Sequence, residues 1–128
     1  MALQYDIDPA QRIVTITGDY AEPEEWRVLL AAVAEDPKYP GGYGFLRDVR
    51  ASAHPVTAQS VMGIIAVVQE FWQRLNVRRA AVLTRPSIDA PAMIAHALAE
   101  DRRLPLRAFT SYDDAVAWLN DARPDRVV

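Results

Sequence analysis

Hydrophobic and polar residues alternate at the start of the chain, where Leu3, Tyr5 and Ile7 are separated by polar positions. This period of two is typical of a half-buried strand. Residues 8–11 then form a turn that contains a proline, and residues 12–17 are rich in β-branched side chains. Together these patterns predict a β-hairpin at the beginning of the fold.

The hydrophobic period then changes to that of a helix. Apolar residues recur at helical spacing from Trp26 to Val33, and Pro23 with two following glutamates marks the start of the helix. An Asp-Pro pair at residues 36–37 ends this run. The rest of the pattern predicts strands at 44–49, 80–84 and 104–109 and helices at 57–75, 87–101 and 111–120.

This order of elements predicts an α/β fold, in which a hairpin leads into a largely parallel five-stranded sheet with right-handed crossovers. Arg47 and Arg107 fall in the middle of predicted strands, where a sheet covered by helices on both faces would exclude them. We therefore expect four helices on one face of the sheet. The fold is expected to occupy residues 1–122 as a single domain, followed by a disordered tail at 123–128.

Composition and charge narrow the classes of function. The chain has 128 residues, no cysteine, a single lysine and a formal net charge of -3. The lack of cysteine excludes disulfides and thiolate chemistry and favours a cytoplasmic location, while the acidic balance disfavours nucleic-acid binding. The N-terminus has no leader-like pattern and no stretch approaches 18 uncharged apolar residues, so we expect no membrane span.

The loop between the predicted strand 44–49 and the predicted helix 57–75 carries the main candidate chemistry. Thr57 occupies the N-cap position, and the alternative is that it is a phosphoacceptor at the positive end of the helix dipole. His54 has no partner at metal-ligand spacing and no visible nucleophile. We expect no metal, no cofactor and no catalysis, with an enzyme that uses His54 or Asp48 as an alternative.

The predicted helix 57–75 is apolar over more of its surface than one core stripe requires. In its N-terminal half, Met62, Gly63, Ala66 and Val67 lie opposite the predicted core residues. Met93 occupies a similar outward position on the next predicted helix. An apolar outer surface of this kind indicates either a binding site or a homodimer interface.

Ligands of α/β sheets gather at the carboxyl ends of the parallel strands, which here lead into two polar loops. These loops and the apolar helix surfaces define the expected site. The expected binding residues are Arg50, Ser52, His54, Thr57, Met62, Ala66, Thr84, Arg85, Ser87 and Met93.

The element order and several short motifs resemble the STAS superfamily, especially its SpoIIAA-like branch of small bacterial proteins. The motifs are a hairpin of the "IVTITG" kind, an "EEW" helix start, a strand ending in "LRDVR", and a final "FTSYDDAVAWL". The residues that carry the resemblance are Gly18, Glu24 to Trp26, Asp48 to Arg50, Phe109, Asp113, Asp114, Ala115, Trp118 and Leu119. The resemblance covers almost the whole chain and implies a superhelix of β-α turns.

The resemblance also implies a function. It suggests a non-catalytic binding or regulatory module that recognises a protein partner or a small apolar or acidic ligand. The alternative is a phosphorylation-switched antagonist of an anti-sigma factor, because the best-understood STAS proteins act in this way. In those proteins the phosphorylated serine lies in a motif close to Asp-Ser-x-Gly, whereas this chain has "AHPVTAQSVMG", where Thr57 and Ser60 are the nearest hydroxyls.

Overall fold

A computed structural model describes residues 3–19, 21–51, 57–85, 100 and 102–121 of the chain. The elements are β1 (Gln4–Asp8), β2 (Ile13–Thr17), α1 (Pro23–Glu35), β3 (Gly44–Asp48), α2 (Ala58–Leu75), β4 (Ala80–Leu83), β5 (Leu106–Phe109) and α3 (Tyr112–Leu119). All eight were predicted, with their ends displaced by one or two residues. The predicted helix 87–101, apart from residue 100, and the predicted tail lie outside the described residues.

The five strands form one sheet in the order β1-β2-β3-β4-β5. β1 and β2 pair antiparallel as a hairpin, and each later strand pairs parallel with the strand before it. This arrangement confirms the predicted α/β class and the largely parallel five-stranded sheet. It also brings the carboxyl ends of β2 to β5 to the same edge of the sheet.

Helices cover both faces of this sheet. Phe45 and Val14 pack with residues of α1 and α2 on one face, which we call the α1/α2 face. Leu46, the neighbour of Phe45, points to the other face and packs with Ala115 and Leu119 of α3. The prediction that all helices lie on one face is therefore wrong, and among the described residues there are three helices.

The cause of this error is the environment of the two mid-strand arginines. Arg47 is buried on the α1/α2 face, where its guanidinium donates to the backbone oxygens of Gly18 at 3.1 Å and Asp19 at 3.0 Å. Arg107 is exposed, and its guanidinium lies 5.5 Å from the centre of the Trp118 ring of α3. A buried guanidinium with hydrogen-bond acceptors is tolerated, so an arginine in a strand does not indicate an open face.

Close contact between α1 and α2 explains part of the apolar surface of α2. Val67 is buried in the core cluster that contains α1, and Gly63 lies against Pro23, the first residue of α1. Arg27 of α1 adds an exposed ion pair with Glu70 of α2, in which Nη1 is 2.6 Å from Oε2. The interpretation of Gly63 and Val67 as outward-facing residues is therefore wrong.

We expect Gly63→Ala to lower the free energy of unfolding by about 1–2 kcal/mol. A Cβ atom on Gly63 would lie 2.6 Å from Cγ of Pro23, and the proline ring is rigid. Overpacking of this kind costs roughly 1–3 kcal/mol, while the better helix propensity of alanine returns up to about 1 kcal/mol. Urea denaturation followed by circular dichroism measures the net effect.

The matched test of this contact is the double variant Pro23→Ala/Gly63→Ala. Loss of the ring atoms of Pro23 should make the Gly63→Ala change tolerated in that background. A Gly63→Ala chain that is more stable than the parent would show that the two helices do not approach each other closely at this point.

Candidate functional site

The carboxyl edge of the sheet carries an ion pair at the end of β3. Arg50 donates from Nε to Oδ1 of Asp48 at 3.1 Å and from Nη2 to Oδ2 at 2.9 Å. Its backbone N–H also donates to Oδ1 at 3.0 Å. The hydrogen bond from the Arg50 side chain lowers the pKa of Asp48 below its usual value. Both side chains thus stabilise the turn that follows β3, and the role of Arg50 in binding stays a prediction.

Thr57 is the N-cap of α2, as the sequence predicts. Its hydroxyl oxygen accepts a hydrogen bond from the backbone N–H of Ser60 at 3.0 Å. The Ser60 hydroxyl in turn donates to Oε2 of Glu22 at 3.3 Å, which connects the beginnings of α1 and α2. A phosphate group on Thr57 would add negative charge beside Ser60, whose hydroxyl contacts the Glu22 carboxylate. The phosphoacceptor role of Thr57 stays a prediction.

Four of the other expected binding residues differ in their exposure. Thr84 is buried, and its hydroxyl donates to the carbonyl oxygen of Arg85 at 2.9 Å. Met62 is 51% exposed and Ala66 is exposed too, so both lie on the outer surface of α2. Arg85 is exposed. The remaining expected residues, Ser52, His54, Ser87 and Met93, lie outside the described residues.

A cavity of about 120 Å³ lies between α2 and the sheet on the α1/α2 face. Its walls are almost entirely hydrocarbon and aromatic. The lining residues include Trp26 and Leu30 of α1, Phe45 and Arg47 of β3, Ile64, Ile65, Val68, Phe71 and Trp72 of α2, Ala80 and Val82 of β4, and Leu106 of β5. This cavity is a concave, mostly apolar site in the described part of the chain, and sequence reasoning missed it.

The local sequence explains why a space remains beneath α2. Ile64, Val68 and Trp72 recur every four residues and form a half-buried row along α2. Opposite this row β4 supplies Ala80 and Val82, whose side chains are too short to fill the gap. One feature of the sequence could have indicated this cavity, namely the unusually wide apolar stripe of α2. Part of that stripe lines the cavity.

Arg47 is the charged residue among the described residues of the cavity wall. Its guanidinium lies 5.2 Å from the centre of the Trp26 ring, a typical cation–π distance, and it is held by backbone oxygens at the end of β2. Among the described residues that line the cavity, none carries a carboxylate, imidazole or hydroxyl group. Apolar walls of this kind can bind and orient an apolar molecule.

Two further observations limit the chemistry of the described residues. In the ranges that the structure describes, no group of three or more His, Asp or Glu side chains is arranged to hold a metal ion. None of the described helices combines the length and the apolar character that a membrane-crossing helix needs.

Comparison with known proteins adds no relative to this picture. Neither a scan against protein-family models nor a search of curated proteins finds a match to this chain.

Proposed function

We propose that this protein is a non-catalytic, STAS-like binding module that holds a small apolar molecule in the cavity between α2 and the sheet. The observation that carries the proposal is the cavity itself, whose described lining residues are apolar apart from Arg47. An apolar cavity of about 150 Å³ in another protein stays dry and binds benzene, so a site of similar size suits a ligand with one small ring or a short branched chain.

The size of the cavity also sets the expected affinity. Burying roughly 150 Å² of apolar ligand surface contributes about 4 kcal/mol at about 25 cal/mol per Å². This free energy corresponds to a dissociation constant of about 1 mM. A tighter natural ligand would therefore have to add polar contacts or extend beyond the cavity.

The native tryptophans can report whether a ligand binds in the cavity. Trp26 and Trp72 line the cavity. Trp118 instead packs with Phe109 on the opposite face of the sheet, which α3 covers. Toluene added at millimolar concentration should shift the indole N–H signals of Trp26 and Trp72 in a two-dimensional ¹H–¹⁵N NMR spectrum. The signal of Trp118, assigned with the variant Trp118→Phe, should not move.

A pair of leucine substitutions tests whether the cavity is the site. Ala80→Leu places three extra carbon atoms on a lining residue and should weaken toluene binding at least tenfold. Ala66→Leu adds the same atoms to the exposed surface of α2 and should leave binding unchanged. Equal shifts at all three indoles, or no shift up to the solubility limit of toluene, would contradict the proposed function.

A further inference from the structure

We propose that the molecule bound in the cavity is an uncharged aromatic compound, whose ring lies among the aromatic side chains of the wall. This inference rests on the proposed function, because it names the chemical class of the ligand of the same cavity. Three observations support it, namely the number of rings in the wall, their lack of pairing with one another, and the contacts that Arg47 already makes within the protein.

Aromatic side chains reach the cavity from three elements of the fold. Trp26 comes from α1, Phe45 from β3, and Phe71 and Trp72 from α2. The first three of these side chains are buried, and Trp72 is half-buried. Because the rings belong to both helices and to the sheet, a ligand in the cavity can contact aromatic surface on more than one side.

Among the described residues, none of these four rings pairs with another of the four. Phe45 instead meets Tyr39 edge-on, with the ring centres 5.8 Å apart, and Tyr39 is not among the lining residues. A pair of aromatic rings in a favourable arrangement contributes roughly two- to tenfold in affinity beyond the apolar area that it buries. A ligand ring can therefore make aromatic contacts that the side chains of the wall do not make with each other.

The contacts of Arg47 disfavour a charged ligand. Its guanidinium donates to the backbone oxygens of Gly18 and Asp19 and lies over the Trp26 ring, so its charge is already engaged inside the protein. We therefore assign Arg47 no contact with the ligand. A charged group would lose its hydration beside apolar side chains of α2 such as Val68. The site thus suits an uncharged ring, for which benzene is the simplest probe.

The first test uses the unmodified protein and two rings of similar size, benzene and cyclopentane. Cyclopentane is at least as hydrophobic as benzene, so apolar burial alone does not favour benzene. Titrations followed through the indole signals of Trp26 and Trp72 should give benzene the tighter binding, by roughly two- to tenfold. A smaller difference, or tighter binding of cyclopentane, would overturn the aromatic inference and leave the proposed function intact. Failure of benzene, cyclopentane and toluene to shift these two indoles would overturn both.

Substitutions in the wall then test the role of its rings. Trp72→Leu and Phe71→Leu each remove one ring and should reduce the preference for benzene over cyclopentane, with Trp26 as the reporter. Ile64→Leu alters a lining residue without loss of a ring or of volume, so it should leave the preference unchanged. Since the comparison of probes on the unmodified protein is decisive by itself, a variant that fails to fold does not remove the test. An unchanged preference in both folded ring variants would contradict the inference.

Discussion

Replacement of Leu119 by alanine is expected to lower the free energy of unfolding by about 2–5 kcal/mol, the range found for buried leucines. Leu119 lies near the end of α3, is 1% exposed, and packs with Leu46 and Leu83 of the sheet. Its loss would leave a void beneath α3. Chemical denaturation of the variant measures the effect, and Val28→Ala, which truncates a side chain that is 65% exposed, is the control and should change stability by less than about 0.5 kcal/mol.

A double-mutant cycle with Gly44 tests whether α3 occupies the second face of the sheet. A Cβ atom on Gly44 of β3 would lie 3.1 Å from Cδ2 and 3.2 Å from Cβ of Leu119. Gly44→Ala should therefore be less costly in the Leu119→Ala background than in the parent chain. Residues in contact show interaction energies of about 0.5–3 kcal/mol, whereas costs that add within about 0.3 kcal/mol would show that α3 does not pack on β3.

Replacement of Arg47 by methionine is expected to lower the free energy of unfolding by about 2–4 kcal/mol. Methionine keeps the apolar part of the side chain but leaves the backbone oxygens of Gly18 and Asp19 without these donors and removes the cation over Trp26. A hydrogen bond from a charged donor contributes roughly 1.5–3 kcal/mol, and the contact with an aromatic ring adds about 0.5–1 kcal/mol. Thermal and chemical denaturation of the same samples measure the loss.

Arg47→Lys is the informative comparison for this prediction. Lysine retains the charge but lacks the planar guanidinium that reaches several acceptors together. The free energy of unfolding of Arg47→Lys should therefore fall between those of the parent and of Arg47→Met. The prediction fails if Arg47→Met is as stable as the parent or more stable. That outcome would mean that the cost of removing the guanidinium from water exceeds the hydrogen bonds it gains.

Local patterns in the sequence predict most of the secondary structure because they reflect local physics. The alternation of Leu3, Tyr5 and Ile7 reflects a strand that is buried on one side, and all three pack against the core of the α1/α2 face. Thr57 was recognised as an N-cap because the first N–H groups of a helix need an acceptor, and a threonine in front of an apolar run supplies one. These features depend on neighbours within a few positions along the chain.

The candidate site was much harder to predict. The polar members of the expected binding set were chosen because ligands of α/β sheets gather at the carboxyl ends of the strands. In the structure Arg50 pairs with Asp48, and the Thr84 hydroxyl donates to the carbonyl oxygen of Arg85. The cavity instead depends on gaps between side chains from α1, α2 and the sheet. A gap of this kind is the difference between the space that the backbone encloses and the volume that side chains fill, and no single segment encodes that difference.

The sequence by itself determined the eight described elements, the α/β class and the hairpin, because hydrophobic period, caps and turn residues are local properties. Only the tertiary structure decided which face each helix covers, because strands such as β3 and β4 are apolar on both sides and can accept helices on either. It also decided the role of Arg47. A buried arginine and an exposed one look alike in a sequence, and Arg47 is distinguished by the distant backbone oxygens of Gly18 and Asp19 that the fold brings to its buried guanidinium.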